Sequence, residues 1–265
     1  MSGARTPSSN VYAASVPAPI PAFRRYRPRA GHPDWPRLAG EARALAEEIK
    51  PRLARPRRGP AEWARRASSW RTAAANYLEN RRRARAGRED LLPLYFIWTT
   101  LHPCNVRCSY CDDHRGARYP ELSRKGRLDT AAGVRLLRIL RTRTPSVYFS
   151  GGEPTLRRDL PELTRAARDL GYYPIVCNSN GSLFHELLRR PAWSSYLADT
   201  DILVVSLDAL DLATLSDLWA TKHPEDVLRN LLLLDQLKQS MRFKLMVNCV
   251  TVSYTHLTLP TNREV

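Results

Sequence analysis

Three of the five cysteines in this 265-residue chain lie close together, in the segment CNVRCSYC at 104–111. Cys104, Cys108 and Cys111 follow the spacing CxxxCxxC. Closely spaced thiolates bind soft metals, so the segment predicts a metal or metal-cluster site. An iron–sulfur cube held by three protein cysteines leaves one iron open to a further ligand. The alternative is a closed zinc site, for which His102 or His114 could supply the fourth ligand.

The other two cysteines, Cys177 and Cys249, lie in apolar runs, where a thiol behaves as a small hydrophobic side chain. We therefore expect both to be buried and to bind no metal. An odd, clustered set of cysteines is not typical of a disulfide framework, so we expect a reducing, cytoplasmic location. No apolar run approaches the length of a membrane span, and the amino terminus lacks the pattern of a secretory signal.

The elements that must position the cysteines begin with five apolar runs, which predict five buried strands. They are LYFIWTT at 94–100, SVYF at 146–149, YYPIVC at 172–177, DILVVS at 201–206 and FKLMVNCV at 243–250. Strands that alternate with helical patterns pair in parallel. Because the runs are apolar throughout, we expect both faces of the sheet to be covered. The predicted fold class is α/β, a partial parallel (β/α) barrel with five visible strands, preceded by a helical basic extension; a doubly wound sheet is the alternative.

The spacing of apolar residues also predicts helices. They lie at 38–54, 61–86, 160–170 and 225–238, and the pattern is clearest at 160–170. Asp159 is placed to cap the start of the third helix, and Gly171 to end it. The cysteine segment follows the first strand directly, which places it at the carboxyl end of that strand, where β/α barrels collect their active sites.

The second helix carries an aromatic stripe. Trp63, Ala67, Trp70, Ala74 and Tyr77 recur at alternating steps of four and three, and arginines cover much of the remaining surface. Such a stripe is usually buried in a core. We therefore expect it to pack against the following domain rather than to stack nucleobases.

The chain divides into four predicted parts. Residues 1–36, rich in Pro, Ser and Ala, predict a disordered tail; 37–92 form the helical basic extension; 93–250 form the partial barrel; 251–265 form an irregular tail of foreign appearance. The net charge is +16, and residues 1–90 hold 20 Lys plus Arg against 8 Asp plus Glu. This basic region could attract RNA, anionic lipid or an acidic peptide, or could be a solvated arginine face.

The cysteine segment, with Tyr110 before its last cysteine, resembles the cluster loop of the radical SAM superfamily. The resemblance extends over about residues 94–250 and is closest to the branch of peptide maturases and of molybdenum-cofactor and hopanoid biosynthesis enzymes. It also rests on GGEP at 151–154, NSNG at 178–181 and SLDA at 206–209, each directly after a predicted strand. A closed barrel of this kind needs further βα units, so the resemblance implies a chain truncated at its carboxyl end.

The resemblance implies a role for each motif. The three cysteines would bind a [4Fe–4S] cluster, and its open iron would bind the amino and carboxylate groups of S-adenosyl-L-methionine. Gly151, Gly152 and Glu153 would hold the methionine part, and Tyr110 would pack near the adenine. The cofactor and substrate cavity would be lined by Asn180, Ser206 and Asp208. No catalytic residue is assigned beyond the cluster.

The activity implied is reductive cleavage of S-adenosylmethionine to a 5′-deoxyadenosyl radical, which abstracts hydrogen from an unidentified substrate. A flavodoxin- or ferredoxin-like protein would supply the single electron. A peptide or small molecule is favoured over RNA as the substrate. Two alternatives stay open: a non-catalytic iron–sulfur or zinc protein that binds RNA through its arginine-rich helices, and a radical SAM enzyme that acts on tRNA.

Overall fold

The computed structural model describes residues 31–111 and 128–250, and in them five strands form one parallel sheet. The strands are β1 (Tyr95–Thr99), β2 (Ser146–Ser150), β3 (Ile175–Ser179), β4 (Ile202–Ser206) and β5 (Lys244–Asn248). Neighbours along the chain are neighbours in the sheet, in the order β1-β2-β3-β4-β5. This order is that of a (β/α) barrel wall, so the predicted partial parallel barrel is confirmed. Of the predicted disordered tail at 1–36, residues 1–30 lie outside the described residues, as do His114 and the predicted tail at 251–265. The prediction is wrong at 35–36, where a helix begins.

Helices connect and precede the strands. They are α1 (Trp35–Ile49), α2 (Pro60–Arg85), α3 (Thr130–Arg141), α4 (Leu160–Asp169), α5 (Phe184–Leu187), α6 (Tyr196–Asp199), α7 (Leu212–Trp219) and α8 (Pro224–Met241). The four predicted helices correspond to α1, α2, α4 and α8. The helices α3 and α7 were not predicted, although each begins at an aspartate that caps it: Asp129 accepts from the Ala132 amide, and Asp211 from the Thr214 amide.

The amino-terminal end of α4 differs from the prediction, whereas its carboxyl-terminal end agrees with it. The carboxylate of Asp159 accepts hydrogen bonds from Arg157 and Thr130, and it makes no capping bond to the helix. The charge-assisted bonds to Arg157 and the bond to Thr130 hold the carboxylate away from the helix amides. Gly171 adopts a positive φ of 91° just after the helix, as predicted for its end.

The two faces of the sheet are covered unequally. On one face, Trp98, Phe149 and Leu203 are buried beneath helices, and α3 approaches Trp98 closely because Gly133 has no side chain. On the other face, here called the open face, Ile97 is 59% exposed and Met246 is 41% exposed. The expectation that both faces are covered is therefore wrong for the edge strands. An apolar run measures hydrophobicity, and it cannot report whether a neighbouring element covers each side.

Helix α1 belongs to the core and α2 does not pack as predicted. In α1, the residues Leu38, Ala42 and Ile49 are buried, and this helix lies along α8. In contrast, every member of the predicted aromatic stripe of α2 is exposed, so its predicted docking on the domain is wrong. No helix of the described segments has the length and apolar character to cross a membrane.

The face of α2 that does pack is polar, which explains the inversion. Arg65 forms ion pairs with Glu62 and Asp201 at 2.7 Å, and it also donates to the Tyr172 carbonyl. Further along, Ser69 donates to the carbonyl oxygens that precede β2 and β3, and Asn76 donates to two carbonyl oxygens near the starts of β1 and β2. The loops at the amino-terminal ends of the strands present carbonyl groups and a carboxylate, and a polar helix face satisfies them.

Candidate functional site

The cysteine segment lies at the carboxyl end of β1 and borders a cavity of about 250 Å³. The lining combines the three cysteines with residues from the ends of β1 and β2, and it comprises Thr99, His102, Cys104, Val106, Cys108, Cys111, Ser150, Gly151 and Gly152. Two of the sequence motifs, CxxxCxxC and the paired glycines, therefore meet at one cavity. The structure brings together the residues of the first and second strand ends as the pattern predicts.

Gly151 and Gly152 allow the cysteine segment to lie directly against the end of β2. A side chain on Gly151 would overlap the Leu101 carbonyl, and one on Gly152 would overlap the carbonyls of His102 and Pro103. The amides in this region complete the contact, because Gly152 donates to the Leu101 carbonyl at 2.9 Å. The two glycines thus accommodate the backbone that leads into the cysteines, and they also border the cavity.

The other side of the cysteine segment is held by the carboxyl end of α7. The amides of Arg107 and Ser109 donate to the carbonyls of Trp219 and Leu218, each at 2.8 Å. Carbonyl groups in the last turn of a helix have no partner within that helix. The cysteine segment supplies the missing donors. The backbone of Ala220, with a φ of 46°, then turns the chain away from the helix.

Tyr110 and Asp208 form the centre of a buried network beside the cavity. The Tyr110 hydroxyl donates to the Asp208 carboxylate, which also accepts from Trp219 Nε1 at 2.7 Å and from the Val250 amide at 2.8 Å. Burial and the hydrogen bond to Asp208 raise the pKa of the Tyr110 phenol, so it stays protonated and donates. Asp208 is 3% exposed, and its carboxylate points at this network instead of lining the cavity.

Asn180 contacts the cysteine segment from the end of β3. Its Nδ2 atom lies 3.8 Å from Cys104 Sγ and 2.8 Å from Asn105 Oδ1, and its Oδ1 atom accepts from Ser182. A donor beside a metal-binding thiolate stabilises the negative charge on sulfur. Asn180 therefore lies where it can orient Cys104, although it is not part of the cavity lining.

Glu153 is 1% exposed, and its carboxylate ties the ends of β2 and β3 together. Oε1 accepts from the Thr155 amide, the Thr155 hydroxyl and the Ser179 hydroxyl, and Oε2 accepts from the Asn180 amide at 2.7 Å. Burial raises the pKa of Glu153, although these hydrogen bonds oppose the shift. Like Asp208, Glu153 is absent from the residues that line the cavity.

The donor set around the cavity suits a soft metal centre. Burial raises the pKa of Cys104, and it raises that of Cys108 to about 11, so both are neutral thiols without a metal. A bound cation deprotonates a coordinating thiol outright. Within residues 31–111 and 128–250, no three His, Cys, Asp or Glu side chains are drawn together as metal ligands. The shared cavity and the three soft donors nevertheless fit an iron–sulfur cluster that gathers the thiolates as it binds.

Several residues of this region were not predicted. Trp219 escaped because α7 was not recognised, and the Asp211 cap was the signal that could have found that helix. Asn178 was not predicted either, and by strand alternation it shares the open face of the sheet with the predicted residue Ser206, at the cavity ends of β3 and β4. The Oδ1 atom of Asn178 is buried and accepts from no described donor.

The part of the chain that is similar to known proteins includes this site. A family model described as the radical SAM superfamily matches residues 99–249. Over 95 residues the chain is 35% identical to Fe-coproporphyrin III synthase of Methanosarcina barkeri, covering 36% of this chain and 23% of that protein. Over 118 residues it is 36% identical to a probable GTP 3′,8-cyclase of Saccharolobus islandicus, covering 44% of this chain and 35% of that protein.

A solved structure was also matched. Streptococcus suis SuiB bound to S-adenosylmethionine superposes with a TM-score of 0.45 and 22% identity, covering 63% of this chain and 35% of that chain. The chain spans little more than a third, at most, of the length of the curated relatives it matches.

Proposed function

Because this chain belongs to the radical SAM superfamily, we propose that it binds a [4Fe–4S] cluster and S-adenosylmethionine in the cavity at the carboxyl end of β1 and β2. Cys104, Cys108 and Cys111 are the proposed ligands of three irons. The observation that carries the proposal is that these three thiols border one cavity together with Gly151 and Gly152. Three thiolates leave the fourth iron open to the cofactor.

When bound, the cluster and S-adenosylmethionine supply an electron transfer that cleaves the cofactor and yields a 5′-deoxyadenosyl radical able to abstract hydrogen from a C–H bond. The electron comes from an external flavodoxin- or ferredoxin-like protein. The chain's own residues bind and orient the cofactor and keep water from the cavity. Gly151 and Gly152 supply backbone at the cavity wall, and Glu153, buried and directly after them in sequence, remains the proposed acceptor for the ammonium group of the cofactor.

The remaining predicted residues divide between two roles in this proposal. Ser206 faces the open side of the sheet and is the candidate for direct contact with cofactor or substrate. Asn180 contacts Cys104 and Asn105, and the Tyr110 hydroxyl donates to Asp208. We therefore assign Asn180, Asp208 and Tyr110 to orienting the cysteine segment. Tyr110 can still offer its ring to the adenine while its hydroxyl is held by Asp208.

The substrate is proposed to lie against the open face, and a peptide or small molecule is favoured over RNA. The side chains on that face below the cavity are mostly apolar or aromatic, among them Tyr95, Ile97, Tyr148, Val176 and Met246. Among the strand residues of that face, Lys244 is the one cation, and Ser146 is polar. Such a surface binds carbon-rich groups, whereas a phosphate backbone requires lysine and arginine. Asn178, on the same face at the cavity end of β3, is the candidate polar group for orienting a substrate that carries a hydrogen-bond donor.

The test is anaerobic reconstitution of the full chain with iron and sulfide, followed by reduction and addition of S-adenosylmethionine. We expect 5′-deoxyadenosine to form only with the reductant present. Cys108→Ala should lose both the brown iron–sulfur absorbance and the product. Cys177→Ala is the matched control, because Cys177 is buried in β3 away from the cavity and should leave iron content unchanged.

Two results would contradict the proposal. One is 5′-deoxyadenosine formation that persists in Cys108→Ala. The other is tetrahedral zinc bound to the three cysteines in the isolated protein, which would favour the closed structural site instead.

A further inference from the structure

The outward face of α2 carries an uncovered aromatic stripe. Trp63 is 72% exposed, Trp70 is 66% exposed and Tyr77 is 54% exposed, and the exposed Ala67 and Ala74 lie between them. We call these five residues the α2 stripe. No residue of the described segments covers it. Contiguous exposed apolar surface of this kind marks an interaction site more often than a solvated face.

Contacts on the opposite side of α2 hold the stripe towards solvent. The opposite face of α2 is fixed by Arg65, Ser69 and Asn76, all buried and all hydrogen-bonded to loops that precede the strands. Rotating the helix to bury the aromatic residues would leave these polar groups and their partners unsatisfied. The fold therefore holds the stripe towards solvent rigidly, as a preformed surface.

The spacing of the α2 stripe is that of a coiled-coil seam. Alternating steps of four and three residues place the members at a and d positions of a heptad. Trp63, Trp70 and Tyr77 then occupy one position and the two alanines the other, which gives large knobs beside small holes. Consecutive aromatic rings are seven residues, or about 10.5 Å, apart along the helix. Successive stacked bases lie about 3.4 Å apart, so the spacing suits a second helix better than a nucleic acid strand.

One edge and the carboxyl-terminal end of the stripe carry arginines that are unpaired in the described segments. Arg71 occupies the e position beside Trp70, and beyond Tyr77 the helix continues with Arg81 and Arg85. None of the three forms an ion pair with a described carboxylate, whereas Arg66 on the opposite edge pairs with Glu62. Charges at e and g positions select the partner of a coiled coil. A second copy of this chain would bring arginine against arginine, so the complementary partner is acidic.

We propose that the α2 stripe is the docking site for a partner protein that presents an amphipathic helix with acidic residues along its edges. The partner helix inserts apolar side chains at the two alanines and surrounds the three aromatic rings. The α2 helix crosses the amino-terminal ends of the strands, whereas the cysteine cavity lies at the carboxyl ends. The partner therefore binds without blocking the cavity. This inference goes beyond the proposed function, and binding requires no cluster.

The test uses the full chain and two fluorescein-labelled helical peptides of three heptads. Both have Leu at a and d; one has Glu at e and g, and the other has Lys there. Fluorescence anisotropy should show binding of the Glu peptide at least about tenfold tighter than of the Lys peptide, weakening with salt. Trp70→Ser should weaken binding by about tenfold or more. Trp35→Ser is the matched control, since Trp35 is exposed at the start of α1 and outside the stripe.

The charge-reversal variant Arg71→Glu/Arg85→Glu provides a second measurement that leaves the aromatic residues intact. It should invert the preference, so that the Lys peptide binds more tightly than the Glu peptide. Thermal unfolding checks that each variant is folded. The proposal is overturned if neither peptide binds or if both bind equally. It is also overturned if Trp70 instead supports binding of a uridine 15-mer, or if Trp70→Ser dissociates a dimer seen by sedimentation.

Discussion

The two ends of the parallel sheet differ in how their polar groups are satisfied. At the amino-terminal ends, Glu62, Arg65, Arg168 and Asp201 form a buried ion-pair network that connects α2 to the loops before the strands. At the carboxyl ends, by contrast, the cavity borders three thiols, and the nearby Asn178 Oδ1 accepts from no described donor. The amino-terminal end pairs most of its charged groups within the protein, although Arg168 Nε has no described hydrogen-bond acceptor. The other keeps ligand-binding groups available, which is the arrangement expected where a cofactor completes the structure.

The largest predicted effect tests the internally satisfied end. Arg65→Ala would leave Glu62 and Asp201 buried without their guanidinium partner, and we expect a loss of about 3–5 kcal/mol in the free energy of unfolding. Arg66→Ala is the control on the same helix, because Arg66 pairs with Glu62 while partly exposed; it should cost about 1 kcal/mol or less. Denaturant titration measures both. Equal losses in the two variants would show that the buried ion pairs of Arg65 stabilise the protein no more than the partly exposed pair of Arg66.

The next effect tests the cavity end. Gly152→Ala would push the new Cβ atom into the carbonyls of His102 and Pro103, displacing the cysteine segment. We expect a cost of about 1–3 kcal/mol in the free energy of unfolding, together with reduced iron content after anaerobic reconstitution.

The matched control is Gly40→Ala, because Gly40 lies within α1 and an added Cβ meets nothing within 4 Å. That change should stabilise the protein by about 0.5–1 kcal/mol and leave iron content unchanged. Full iron content in Gly152→Ala would argue against the close contact of the glycines with the cysteine segment.

The smallest effect sharpens the comparison through pH. Burial alone would raise the pKa of Glu62, but hydrogen bonds and charge from Arg65, Arg66 and Arg168 lower it from 4.5 to about 2. A carboxyl whose pKa is lowered by folding stabilises the protein above its unfolded pKa. That contribution is lost as the pH falls from 4.5 towards 2. Stability curves of the parent chain should therefore fall over this range, and those of Glu62→Gln should fall less steeply. Parallel curves would remove Glu62 from the network.

The strands and the cysteine cavity were predictable because they depend on local pattern. Apolar runs identified five strands, and their alternation with helices identified the parallel order. The cysteine spacing and the paired glycines meet at one cavity because parallel strands bring their carboxyl ends to one edge. Cys177 is buried in β3 as predicted, whereas Cys249 is exposed just after β5, where no described element covers it.

The orientation of side chains around the cavity was not predictable from those motifs. Asp208 was expected to line the cavity, yet it bonds to Tyr110 and to Trp219, which lies on a helix that the pattern did not reveal. Asn180 likewise turns to Cys104 and Asn105 across 75 residues or more of sequence. Contacts of this range depend on how the elements pack, and a motif of four residues contains no information about its distant neighbours.

By itself, therefore, the sequence determined the positions of the strands and their parallel pairing, the positions of the helices with strong apolar periodicity and the meeting of cysteines and glycines at one end of the sheet. Local hydrophobicity and spacing are sufficient for these. Only the tertiary structure decided which face of α2 is buried, since both faces carry a helical repeat. The polar face is the buried one because carbonyl groups and Asp201 at the starts of the strands require hydrogen-bond donors. Arg65, Ser69 and Asn76 supply those donors.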